Sequence, residues 1–337
     1  MRRGAIPALA LALLLPALSL AAPSSQDRGV HPRELSGLPS YVKRVEPSIV
    51  GLRVRAPENA VSSTRLGSRR FGSAVIFDAR GYAVTVSYLL LDAASLEARS
   101  RDGRRWEARL IALDLDAGLG VIKLEGAGPW AAAALGKSTD VVTGARTGTV
   151  GVDEDNDLVQ VTGAVHAIQP FSAYWEYMLD RALIVAPASP QWGGSAVVND
   201  RGEVVGIASL RLGEAPHVNL AIPIEKFLPV KDELIRAGRI VSRPPRPWLG
   251  LYTVEVQGGV VVSETSPIGP AAAAGFLKGD RILRVNGVAV ASQREFYEQL
   301  WSRRAGDLIE VAVQRNARVQ IIAVPSVDRH SLFRVRD

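Results

Sequence analysis

"SPQWGGSAVVNDRGEVVGI", Ser189 to Ile207, decides how the chain is read. Its "SAVVN" and "EVVGI" are short apolar runs, and "NDRG" between them is a turn signal, so the stretch reads as a hairpin. Ahead of the hairpin stands a tight loop, Gln191-Trp192-Gly193-Gly194-Ser195. What stands at the crest of that loop is the question the rest of the sequence answers.

Working outward, the same pattern repeats from about residue 47 to 222. "SIVGLRV", "GSAVIFD", "YAVTV", "RWEARLIAL", "LGVIKLE" and "ALIVA" are Val- and Ile-rich runs, parted by turns such as "DARG" at Asp78 and "RDGR" at Arg101. Many short strands without an intervening helical period predict an antiparallel barrel or sandwich rather than a parallel βαβ fold. Next, "IEKFLPVKDELIRAG" predicts a helix after Pro223, with Phe227, Val230, Leu234 and Ile235 on one face, a kink at Pro229 and a stop at Gly238. "SRPPRP", residues 242–247, is a stiff linker and a domain boundary. From Trp248 to about Pro325, strands such as "DRILRVN" and "IEVAVQR" alternate with helical stretches near Ala271–Phe276 and Gln293–Trp301, as in a small α+β domain. The tail, residues 327–337, is polar and expected to be loose.

The 337 residues are 47% hydrophobic and 22% charged, with 31 Gly and 20 Pro, a soluble globular composition. There is no cysteine, so packing alone must hold the fold and no lipidated Cys can anchor it. Arg2 and Arg3, the apolar run Ala5–Leu20 and Ser19-Leu20-Ala21 read as a cleaved export signal, residues 1–21, before an extension, residues 22–37. An uncleaved anchor is the alternative. Without Arg2 and Arg3 the net charge of +6 drops to +4, and no dense basic cluster marks a nucleic-acid partner. "DEDND", Asp153–Asp157, starts like a calcium loop. It has Leu158 where the sixth position needs Gly and Ala164 where the twelfth needs Glu, so it reads as a solvated turn. No metal or cofactor is expected.

Taken in order and spacing, these motifs resemble the HtrA (Do-like) family, over roughly residues 38–325. "FGSAVIFDARGYAVT", "LDLDAGLGVIKLE", "VTGAVHAI", "SPQWGGSAVVNDRGEVVGI" and "VNLAIPIEKFLPV" resemble its trypsin-like domain, here residues 38–241. "PWLGL" with "SPIGPAAAAGFLKGDRILRVNGVAV" resembles its PDZ domain, residues 248–326. The resemblance implies a mainly β fold, a double antiparallel β-barrel followed by a small α+β PDZ domain. It also implies an exported polypeptide-binding protein with homotrimers as a family habit.

The family's catalytic positions carry other residues here. Where the family has Thr-Asn-x-His-Val, this chain reads Thr85-Val86-Ser87-Tyr88-Leu89, placing Tyr88 at the histidine. Asp-Leu-Ala-Val becomes Gly118-Leu119-Gly120-Val121, placing Gly118 at the aspartate. Registered from Gly202-Glu203, the nucleophile position falls on Gly193. The spacings of 30 and 75 residues resemble the family's. A serine hydroxyl attacks an amide only when an imidazole takes its proton and a carboxylate orients that imidazole. The chain has four histidines, His31, His166, His217 and His330, and none falls between His31 and His166. Ser195 would be the nucleophile only under a shifted register. Asp116, two residues from Gly118, reads as a turn residue. Trp192 either plugs the old cleft or packs as core.

In the PDZ-like part, Trp248, Leu249, Gly250 and Leu251 match the loop that takes a peptide's terminal carboxylate on converging backbone N–H groups. The strand from Leu251 to Val254 would pair with an extended peptide. Phe296 and Leu300, one turn apart, either line the side-chain pocket or are core. The reading is thus an exported pseudoprotease that binds polypeptide C-termini or unfolded proteins as a scaffold, adaptor or chaperone-like factor in envelope quality control, beside active HtrA-type proteases. Its alternatives are an active serine-type endopeptidase with a non-standard site, and a structural envelope protein without peptide binding.

Overall fold

A computed structural model describes residues 37–333; the expected export signal, most of the N-terminal extension and His31 lie outside the described residues. The alternating Val- and Ile-rich runs form two barrels. Strands β1 (Ile49–Arg55), β2 (Arg69–Asp78), β3 (Tyr82–Val86), β4 (Ser95–Arg99), β5 (Arg105–Asp114) and β6 (Leu119–Leu124) close in the order β1-β2-β3-β6-β5-β4. Strands β7 (Arg146–Val152), β8 (Leu158–Ala173), β9 (Tyr177–Ala186), β10 (Ala196–Val198), β11 (Val204–Leu212) and β12 (Val218–Pro223) close in the order β10-β11-β12-β9-β8-β7. All of these pairings are antiparallel. One apolar core runs through both barrels, from Leu52 and Val84 to Ile207 and Leu220. The opening stretch forms its hairpin as β10 and β11, with the glycine-rich loop ahead of it.

The third unit is a sheet of β14 (Leu251–Val256), β15 (Gly259–Thr265), β16 (Arg281–Val285), β18 (Leu308–Arg315) and β19 (Arg318–Pro325), with the short β17 (Val288–Ala289) beside β16. The helix Gln293–Trp301, called αC here, buries Phe296, Tyr297 and Leu300 on the sheet. The mainly β architecture is therefore as expected, two barrels and a small α+β unit.

Two local expectations change. The helix expected after Pro223 is broken: a single 3₁₀ turn spans Ile224–Lys226 and the α-helix only Lys231–Ala237, because Pro229 has no N–H to continue the ladder. Phe227, Val230 and Leu234 are buried as foreseen, Ile235 only half so, and Gly238 ends the helix at φ +65°. The start of the expected loose tail is held in place. Val327–Asp328 (β20) pairs with Pro247–Trp248 (β13), and Arg329 donates to the carbonyl oxygens of Leu115 and Trp175. Asp116 lies in a turn as expected, and there it also faces the linker's Arg243 at 3.8 Å and Arg246 at 3.7 Å. Its neighbour Asp114, buried, accepts from Arg243 at 2.9 Å, so the proline-rich linker is tied to the first barrel.

Candidate functional site: the interbarrel cleft and the peptide groove

The end of β3 and the loop before β10 bring positions 88 and 193 face to face. A Cβ on Gly193 would lie 3.1 Å from the Tyr88 hydroxyl, so a side chain at 193 would crowd the phenol. That hydroxyl donates to the Ser209 carbonyl on β11 at 2.9 Å. Burial drives the Tyr88 phenol well above its ordinary pKa, and contact with Trp192 offsets this only in part. A neutral phenol that spends its proton on a carbonyl carries no negative charge, and its oxygen is far too weakly basic to take a proton from a serine hydroxyl.

Position 118 is closed as well. Gly118 has φ +80°, and a Cβ there would sit 3.0 Å from the Tyr177 hydroxyl and 3.3 Å from Ile222. Tyr177 donates to the Ala117 carbonyl at 2.9 Å, which holds its ring against position 118. Ser195 is fully buried, and its hydroxyl donates to the Gln191 carbonyl at 2.5 Å. Trp192 packs among Val165, Leu183 and Val197, with the Arg211 guanidinium 6.0 Å above its ring, and also lines the cleft. The cleft, about 480 Å³, is bordered by Arg53, Arg69, Phe71, Glu154, Trp192 and Gly193.

Among the described residues no histidine bonds a serine hydroxyl. His166 is exposed on β8. His217 Nδ1 meets the Gly213 carbonyl at 2.8 Å. His330 accepts from the Leu115 N–H through Nε2 at 3.1 Å, and its Nδ1 faces Asp328. "DEDND" is a turn in which Asp153 accepts the N–H groups of Asp155 and Asp157. No group of metal-ligating side chains occurs among the described residues.

In the third unit Gly250 has φ +78°, and a Cβ there would meet the Gly269 Cα at 2.7 Å, so only glycine makes this turn. Leu249 and Leu251 are fully buried, Trp248 nearly so, and Phe296 and Leu300 belong to the core. The backbone N–H groups of this loop already have an acceptor. Leu251 N–H donates to Glu176 Oε1 at 2.7 Å and Leu249 N–H to Oε2 at 3.2 Å. Glu176 is buried between the barrels and the third unit, and burial raises its carboxyl to about 7, against the downward pull of the Leu251, Leu249 and Gly250 amides and of Arg329. Nothing in "SAYWEYML" marks this glutamate as special. Its role depends on a contact 73 residues away in sequence.

Known proteins share this layout. Residues 72–207 match the trypsin-like peptidase domain model and residues 247–325 the PDZ domain model. The chain is 31% identical over 301 residues to the serine endoprotease DegS of Escherichia coli strain K12, covering 82% of this chain and 81% of that one. It is 27% identical over 285 residues to a probable periplasmic serine endoprotease, DegP-like, of Pseudomonas fluorescens, covering 78% and 58% respectively. Among solved structures, the serine endoprotease from Yersinia pestis superposes with TM-score 0.53 at 25% identity, covering 86% of this chain and 96% of that one. The HtrA-type protease AlgW with tripeptide superposes with TM-score 0.54 at 24% identity, covering 86% and 97%. With two barrels, a PDZ unit and these relatives, the chain belongs to the HtrA family of trypsin-like peptidases carrying a PDZ domain.

Proposed function

We propose that this member is a pseudoprotease, exported to the envelope, that binds polypeptides rather than cleaving them. The observation that carries the reading is the Tyr88 hydroxyl, which is bonded to the Ser209 carbonyl and lies only 3.1 Å from where a Cβ at 193 would stand. With glycine at 118 and 193, neither an oxyanion-generating nucleophile nor an orienting carboxylate is at hand. In a known protease series, loss of all three groups costs about a millionfold in rate. The PDZ domain keeps a glycine turn with amides aimed at one carboxylate, the chemistry that takes a polypeptide C-terminus. The export segment expected from the sequence, and one relative named as periplasmic, support an envelope role as scaffold, adaptor or chaperone-like factor beside active HtrA-type proteases, and the family resemblance supports a homotrimer.

The test is incubation of the purified protein with unfolded casein, with trypsin as the positive control. The expected result is turnover at the buffer background. Turnover that Ser195→Ala abolishes would establish the competing reading, an endopeptidase with a non-standard site, which the endoprotease names of the relatives favour.

A further inference from the structure

We propose that Glu176 is a resident ligand of the PDZ carboxylate loop: the β8–β9 turn docks in the peptide groove, and an external C-terminus binds there by displacing it. This rests on the peptide-binding reading above and adds how that site is regulated.

The turn imitates a bound peptide at several points. Its carboxylate takes the Leu249 and Leu251 amides, one on each oxygen. Two residues earlier, the Tyr174 carbonyl accepts the Thr253 N–H at 2.9 Å, two residues further along β14. The segment therefore runs antiparallel to β14, where an added strand would lie. On the other wall αC holds it: the Tyr297 hydroxyl donates to the Ala173 carbonyl at 2.6 Å and accepts the Glu176 N–H at 3.3 Å. The Tyr174 ring stands edge-on to Tyr252, with centroids 5.7 Å apart, and Met178 packs on the PDZ core.

The arrangement has a cost, which argues that it is built rather than incidental. Glu176 adopts φ +54°, a left-handed conformation that a non-glycine residue rarely takes. A carboxylate so buried is tolerable only with dedicated donors, and here the donors are the loop's own amides. Because the turn is tethered, its effective concentration at the groove is of the order of millimolar or higher. An external carboxylate competes against that, so its observed affinity falls by the fraction of time the groove is closed.

The experiment compares the intact chain with Glu176→Ala and with the near-isosteric Glu176→Gln, all checked for cooperative melting by circular dichroism. Amide hydrogen exchange is read at Leu249, Gly250 and Leu251. Fluorescence titration uses labelled decapeptides with randomised last four residues, carrying either free or amidated C-termini. The expected result is exchange at least tenfold faster in Glu176→Ala and at least tenfold tighter binding of free, not amidated, peptides, with Glu176→Gln in between. Unchanged exchange in a folded variant overturns the proposal, and so does faster exchange with unchanged peptide affinity. Should Glu176→Ala fail to fold, the same two criteria apply to Glu176→Gln. Faster exchange with no peptide bound by any form keeps Glu176 as the loop's ligand and sinks the peptide-binding reading instead.

Discussion

The Tyr88 phenol is bonded to the Ser209 carbonyl and lies 3.1 Å from where a Cβ on Gly193 would stand. Tyr88→Phe leaves that carbonyl without its donor, and urea unfolding should report a loss of about 1–2 kcal/mol. The double variant Tyr88→His with Gly193→Ser puts a serine and an imidazole back in register, because residue 193 then meets no phenol. Casein turnover by that variant should still lie about four orders of magnitude below that of an active relative, since Gly118 supplies no carboxylate to orient the imidazole. Turnover within tenfold of the relative would refute the role given to position 118. The barrels that carry these residues were legible in the sequence, because their Val- and Ile-rich runs alternate with turns, whereas placing Tyr88, Gly118 and Gly193 at the catalytic positions rests on the motif resemblance. The close approach of Tyr177 to position 118 was not legible, since it depends on a side chain from the other barrel.

The helix αC is set by its first turn. Ser292 caps it, accepting the Glu295 N–H at 3.1 Å, while Glu295 reaches back to the Ala291 N–H at 2.8 Å. Ser292→Ala should lower PDZ stability by about 1 kcal/mol in a denaturant titration. The sequence showed this helix at its observed bounds, because its apolar period and cap agree. It overran at 223–238, where Phe227, Val230 and Leu234 kept a helical rhythm that Pro229 interrupts in the backbone. The β16 start carries a pH response. Desolvation pushes the Asp280 carboxyl up, but the bidentate Arg315 guanidinium and the Leu277 N–H outweigh it, leaving the group below its ordinary value. A carboxyl lowered in the folded state contributes stability above about pH 4 that is lost as the pH falls through and below that value. Asp280→Asn should flatten that acid limb of the melting profile and cost about 3 kcal/mol at neutral pH. An unchanged acid limb would rule the pair out as its source.

Across the whole molecule, the linker and tail tie the PDZ domain down through Arg243, Arg246 and Arg329, which reach Asp114, Asp116, Leu115 and Trp175. None of these links was visible in the sequence, where the linker read as a spacer and the tail as loose, because ion pairs between domains have no local period. Asp116→Asn removes the shared partner of two linker arginines at 3.7–3.8 Å but leaves the Arg243–Asp114 pair in place, so calorimetry should report a loss of at most about 1 kcal/mol. The most direct check of the central claim, that this peptidase fold no longer activates a hydroxyl, is reaction with a fluorophosphonate probe, which labels only serines made nucleophilic by a base. DegS of Escherichia coli should be labelled in parallel while this chain shows no adduct by intact-mass spectrometry; stoichiometric labelling lost on Ser195→Ala would contradict the account.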